Sequence, residues 1–267
     1  MGMIKDGYKY PERCVLVLGG KIEDKAMFRQ RALTAGAVLA ADSGAGHLLA
    51  LGLMPHQVIG DMDSLSAEQL AALTAGGCHL IRVPAAKDDT DGSLALKAAL
   101  RAGYGDIRIW GGLGGRPDHS YANIQLLHLA LAPKYLAIYR QKGGGWAVGS
   151  GGPPEAGYSD LDAEAGERDA GDGESRLGPA VCLEDGGTRI FLPRRGQRIR
   201  GKKGDYLSFF ALTPTVEGFA QRGLKYQPRE GRYVSDSPFG ISNEFLTDEV
   251  WVSWRAGRLL CMHIARE

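Results

Sequence analysis

The sequence has few of the marks that identify a protein by composition alone. Its four cysteines, Cys14, Cys78, Cys182 and Cys261, lie far apart, with no Cys-x-x-Cys pair and no histidine at metal-ligand spacing. That argues against a thiolate zinc site and a disulfide framework, and predicts reduced, buried thiols. No apolar run reaches the roughly 18 to 20 residues of a membrane span, and the N-terminal MGMIKDGYKYPER has no apolar block of signal-peptide length. The expected location is therefore the cytoplasm, with no membrane partner. Charge of one sign is also missing: 32 Lys and Arg stand against 31 Asp and Glu, a net charge of +1. Without a cationic excess, nucleic acid is a poor partner.

What is present is a chain of 267 residues, 44% hydrophobic, long enough for two domains. From Cys14 to about Tyr139, short β-branched or aliphatic runs alternate with segments of helical period, which predicts a parallel sheet flanked by helices. The predicted strands are 14–18, 37–42, 57–61, 79–83, 107–110 and 135–139; the predicted helices are 23–35, 44–52, 66–75, 90–102 and 119–131. Residues 143–178 break this rhythm, with 11 Gly and 8 Asp or Glu in 36 residues, and read as a solvated insertion that lacks the apolar surface to order itself. From Pro179 onward strands are joined by turns. VCLEDGGTRIFL reads as a hairpin around Asp185, Gly186 and Gly187, and VWVSWRAGRLLCMHI as another around Ala256 and Gly257. The expected domains are thus 1–142, α/β and catalytic; 143–178, the insertion; and 179–267, a small antiparallel β domain.

In open parallel sheets ligands sit beyond the carboxyl ends of the strands. Four segments there carry chemistry. Asp42 ends a strand and leads through Ser43 and Gly44 into a helix, where it serves equally as an N-cap. Gly60-Asp61-Met62-Asp63 puts two carboxylates on one side of an extended chain, an arrangement whose mutual repulsion a cation relieves; a capped turn is the alternative. Lys87-Asp88-Asp89-Thr90-Asp91 precedes a helix, and Asp88 and Asp91 share its first turn if the helix begins there. Helix-dipole complementarity explains any single aspartate, but not Lys87, which suits a phosphate lying beside the metal. Trp110-Gly-Gly-Leu-Gly-Gly-Arg116-Pro-Asp118-His119 lets the backbone approach an anion at Gly112 and Gly115 while Arg116 supplies a fixed fork of donors. It matches neither the Walker nor the dinucleotide pattern. Oxygen ligands without His or Cys favour Mg²⁺. Residue chemistry alone therefore reaches Mg²⁺-assisted work on a phosphate ester or anhydride.

ADSGAGHLL, GDMDSLS, KDDTD and GGLGGRPDHSYANIQLL, in that order, with GLKYQP and FGISNE later, resemble the thiamine pyrophosphokinase family. The resemblance implies a Rossmann-like α/β parallel-sheet catalytic domain followed by an antiparallel β-sandwich. It implies a homodimer with sites at the subunit interface, and transfer of a diphosphate from ATP to the hydroxyl of thiamine. By the same likeness Asp61, Asp63, Asp88 and Asp91 are expected to be catalytic and to hold Mg²⁺ and the ATP phosphates, with Asp42, Lys87, Thr90 and Asp118 close by. Gly112, Gly115 and Arg116 would contact the nucleotide, and Tyr226, Ser242 and Asn243 the vitamin. Ser43 and Gly46 depart from the family pattern, which carries Gly and Asn there. Two rival readings use the same residues differently: a metal-dependent hydrolase of nucleotides or phosphate esters, and a non-catalytic nucleotide or thiamine sensor.

Overall fold

The structure, a computed structural model, describes residues 9–141, 178–237 and 239–266. The 143–178 insertion, Gly178 apart, lies outside the described residues. The chain divides into two compact units, residues 9–141 with 178–185, and 186–237 with 239–266.

The first unit is a six-stranded sheet built from β1 (Tyr10–Val17), β2 (Ala35–Ala41), β3 (Gln57–Gly60), β4 (His79–Arg82), β5 (Asp106–Trp110) and β6 (Ala180–Asp185). All its pairings are parallel, in the order β6-β5-β1-β2-β3-β4. Between the strands run α1 (Lys25–Thr34), α2 (Gly44–Ala50), α3 (Ala67–Ala75), α4 (Asp91–Ala102), α5 (Pro117–Leu126) and α6 (Pro133–Gln141). β2 is buried along its whole length, as expected of a strand covered on both faces. Val38 of β2, Val15 and Val17 of β1 and Trp110 of β5 form one core with Phe28 of α1. The helix starts follow local chemistry: Asp24 caps α1, Ser66 and Gln69 form a reciprocal capping box on α3, and the Thr90 hydroxyl accepts from Ser93 N at 3.1 Å to start α4.

Order in this sheet matters for function. The chain moves outward from β1 through β4, then returns to lay β5 on the other side of β1. The loops after β1 and β5 therefore leave in opposite directions, and the crevice between them is where such sheets bind ligands.

One expectation fails in this region and another falls short. Residues 135–139, read as a strand, lie in α6, because a five-residue apolar run carries no period of its own and Pro133 presets helical φ in the first turn. The sixth parallel strand is instead Ala180–Asp185, read from sequence only as the first arm of a hairpin; it also pairs with β5, Ile107 opposite Val181.

The second unit is antiparallel. One sheet runs β7 (Thr188–Phe191), β15 (Leu259–Ile264), β9 (Tyr206–Ala211) and β13 (Asn243–Glu244). A second places β14 (Glu249–Ser253) between β8 (Gln197–Arg200) and β11 (Ala220–Arg222), and β10 (Thr215–Glu217) pairs with β12 (Arg232–Val234). Phe209, Phe219, Tyr233 and Phe245 fill the core, the first three in mutual ring contact. The expected hairpin around Ala256 and Gly257 does not form: β14 and β15 belong to different sheets. The Trp254 indole donates to Gly257 O at 3.0 Å and Ala256 bridges to Glu217, so this turn carries the chain across from one sheet to the other. Apolar alternation marks both arms as strands but cannot say which partner each takes.

Candidate active site

Asp42, Asp61 and Asp91 follow β2, follow β3 and open α4. Carboxylate oxygens from all three lie within 4.8 Å of one another. Asp42 is 8% exposed, and its Oδ1 is buried with no hydrogen-bond partner. It sits in the left-handed region at φ 41°, a conformation aspartate tolerates better than most residues. Gly60 makes room for it: a methyl there would stand 2.8 Å from Asp42 Cβ.

The Asp61 and Asp63 pair is not extended as the sequence suggested. Met62 has φ 67°, and Asp63 N donates to Asp61 Oδ1 at 3.2 Å, so the segment turns. Asp61 joins the cluster while Asp63 is exposed and bonded to the Ser64 hydroxyl at 3.0 Å. The Asp63 N–H holds the Asp61 carboxyl below its ordinary range. Burial pushes Asp91 up, helped by the nearby negative charges of Asp61 and Asp42 and opposed by Lys87. Lys87 is itself well covered, with 8% side-chain exposure, and its Nζ lies 2.9 Å from Asp91 Oδ1. Helix α4 begins at Asp91 with Thr90 as its cap, so Asp88 precedes the helix, is exposed and stands outside the cluster. Its neighbour Asp89 is engaged by Lys97 and Ser93.

At the switch point, the loop after β5 is pressed against the loop after β1. A Cβ on Gly111 would come 2.3 Å from Leu18 O, and one on Gly20 2.4 Å from Gly111 O. Gly112 O accepts from the Asn123 amide at 2.9 Å. Gly114 and Gly115 continue in the left-handed region, Gly115 with open space where a side chain would be. Arg116 is 73% exposed and pairs with Asp118 at 2.6 Å rather than with the acidic cluster.

In the second unit a cavity of about 600 Å³ is lined by Tyr226, Tyr233, Phe239, Gly240 and Asn243 among others. Tyr233 and Phe239 stack with centroids 5.4 Å apart, giving the cavity a flat aromatic wall. Tyr226 is 57% exposed. Asn243 is buried, and its amide is spent on the chain: Oδ1 accepts from Tyr226 N at 2.9 Å and Nδ2 donates to Tyr226 O at 2.7 Å. It therefore clasps Tyr226 to β13. Ser242, at φ 54°, is exposed and held by its N–H to the Ser208 hydroxyl at 2.9 Å.

The sequence profile described as thiamin pyrophosphokinase, catalytic domain, matches residues 28–139, and that described as thiamin pyrophosphokinase, vitamin B1 binding domain, matches residues 189–259. Together they cover more than two thirds of the chain. The chain belongs to the thiamin pyrophosphokinase family. A thiamine pyrophosphokinase from Bacillus subtilis (strain 168) is 38% identical over 90 residues, 34% of this chain and 42% of that relative, so the matched stretch spans under half of its length. Among solved structures, a thiamine pyrophosphokinase from Bacillus subtilis superposes with a TM-score of 0.70 at 22% identity, covering 96% of this chain and all of that one. A thiamin pyrophosphokinase family protein from Enterococcus faecalis gives 0.62 at 26% identity with the same coverages. The enzyme from Candida albicans gives 0.68 at 15%, covering 96% and 91%.

Three residues of this family member escaped sequence reasoning. Gly60, whose missing side chain admits Asp42, and Asn123, which holds Gly112, both stand inside motifs and were passed over as spacing. Gln221, which donates to Leu224 O at 3.0 Å and accepts from Leu224 N at 2.9 Å, carries no motif signal.

Proposed function

We propose that this protein transfers the diphosphate group of ATP to the hydroxyl of thiamine, giving thiamine diphosphate and AMP. The observation that supports it best is the Asp42, Asp61 and Asp91 cluster at the carboxyl edge of a parallel sheet, in a chain that also carries the family's vitamin-binding domain. Three carboxylates with a buried, unpartnered Oδ1 fit a divalent cation chemically, and an all-oxygen donor set suits Mg²⁺. Asp42, Asp61 and Asp91 would hold it, with Asp63 and Asp88 in the exposed turns beside them. When bound, Mg²⁺ neutralises charge on the phosphate oxygens.

The reaction is an in-line displacement in which the thiamine hydroxyl attacks the β-phosphorus and AMP leaves. Lys87, held against Asp91, and Arg116, on the glycine-rich loop, supply positive charge toward the phosphates. The tight contacts among Leu18, Gly20 and Gly111 hold the phosphate-facing backbone in a fixed shape, so little is reorganised as charge develops. In the second unit the stacked Tyr233 and Phe239 offer an apolar wall to a cationic heteroaromatic ring, and the Asn243 clasp fixes the adjoining Tyr226. The reading extends to a cytoplasmic homodimer with sites at the subunit interface; the exposed Tyr226, Phe239, Ile241 and Leu246 in the second unit support a covered face.

The test is AMP formation from ATP that requires both thiamine and Mg²⁺. Release of phosphate or diphosphate without thiamine would instead support a hydrolase, and thiamine binding with no turnover a sensor. Light scattering on the purified protein decides the dimer.

A further inference from the structure

We propose that His47 is a positioning residue for the nucleotide phosphates and acts through the Gly20 carbonyl; the inference rests on the ATP-dependent reading above. His47 lies in the last turn of α2, outside the family motifs except as a spacer, and its Nε2 is 2.8 Å from Gly20 O. A carbonyl only accepts, so Nε2 carries the proton and donates. Gly20 also donates its N–H to Gly111 O at 2.9 Å, so both of its backbone groups are engaged, one to each side of the crevice. The same crossing leaves no room for a side chain at its glycines: a Cβ on Gly19 would stand 2.0 Å from the Ser43 hydroxyl, and one on Gly44 2.2 Å from Val17 O. Glycines make this close approach possible, and the Gly20 N–H is fixed on Gly111, but the carbonyl belongs to the next peptide, Gly20–Lys21, whose orientation no side chain on Gly20 restricts. Among the described residues, side chains donate to the loop carbonyls at the crevice from two helices: Asn123 of α5 holds Gly112, and His47 of α2 holds Gly20. Carbonyl oxygens are electronegative and repel phosphate. The His47 bond keeps the Gly20 oxygen turned to α2, and its loss frees the peptide to present that oxygen to the anion.

The experiment measures binding of a non-hydrolysable ATP analogue with Mg²⁺ by calorimetry, and KM for ATP and for thiamine, in the wild type, His47→Ala and His47→Gln. His47→Ala is expected to weaken analogue binding and raise KM for ATP about 5- to 10-fold, the equivalent of one hydrogen bond of roughly 1 kcal/mol. KM for thiamine should stay within about twofold. His47→Gln, whose amide N–H can reach the same carbonyl, should recover most of the loss. The proposal is overturned if His47→Ala binds the analogue as the wild type does. It is also overturned if both KM values rise together with a lowered Tm and glutamine restores nothing. A wild type that binds the analogue but makes no thiamine-dependent AMP overturns the reaction assigned above, and the binding comparison then still decides His47. A wild type that does not bind the analogue overturns both.

Discussion

Gly60→Ala separates the geometry of the carboxylate cluster from the stability of the fold. The new methyl would lie 2.8 Å from Asp42 Cβ, 3.1 Å from its Cα and 3.3 Å from its N. Carbon atoms in contact normally stand about 3.5 to 4.0 Å apart, so Asp42 has to retreat by about 0.7 to 1.2 Å. Overpacking of this size costs about 1 to 3 kcal/mol, which for a chain of this length lowers Tm by about 2 to 12 °C. The protein should remain folded at 25 °C. A carboxylate displaced by about 1 Å, however, should lower turnover by roughly 100-fold and raise the Mg²⁺ concentration needed for half-maximal rate. Gly76→Ala is the control for a new methyl away from the cluster: it would meet the flexible end of Met54 at 2.3 Å, which can shift, so thiamine-dependent AMP release persists. Thermal unfolding and steady-state AMP release measure both effects. If Gly60→Ala keeps more than a third of wild-type turnover while Tm falls in the stated range, the position of Asp42 does not matter and the cluster is not the reactive centre.

Three further outcomes follow from the same structure. Asp61→Asn, at a partly exposed rim position, should leave Tm nearly unchanged yet reduce Mg²⁺-dependent turnover at least about 100-fold; an unaltered Mg²⁺ titration would contradict its assigned role. Asn243→Ala strands the Tyr226 N–H and leaves its carbonyl only the 3.3 Å bond from Gln221 Nε2, and should cost about 1 to 3 kcal/mol of stability while raising KM for thiamine about 10-fold, with KM for ATP unchanged; equal rises in both would refute the clasp. Burial and the neighbouring Arg189 guanidinium lower His263 below its ordinary value of 6.5, against the opposing pull of Asp205. The unfolded chain then binds the proton more readily, so stability should fall as pH drops from 7 through the folded-state value below 6.5. A Tm series from pH 7.5 to 5 should show that slope, and His263→Gln should flatten it, leaving the part due to buried His56.

Most of the first unit was readable from sequence because parallel strands and amphipathic helices have distinct periods and their caps name themselves. The five predicted helices fall on α1 through α5, and the predicted strands through Trp110 on β1 through β5. The errors lie where period is silent. Residues 135–139 are too short to distinguish helix from strand. β6 and the two arms flanking Ala256 were read as strands, but partner choice depends on contacts distant in sequence. The site divides in the same way. Asp61 and Asp91 were placed correctly at strand and helix ends. Nothing in Gly-Asp-Met-Asp, however, announces the positive φ at Met62 that turns Asp61 one way and Asp63 the other. Nor does the sequence reveal that Asn243 spends its amide on Tyr226.

The late arrival of β6 decides where this polypeptide can be cut. A fragment ending after α6 would carry the catalytic motifs yet leave β5 as a bare border, with Ile107 and Ile109 stripped of Val181 and Leu183. Such an edge recruits other chains and precipitates. A usable half-protein has to run through Asp185, and a circular permutant opened between Gln141 and Gly178 would have to keep Ala180–Asp185 at its new N-terminus, ahead of everything that now follows it.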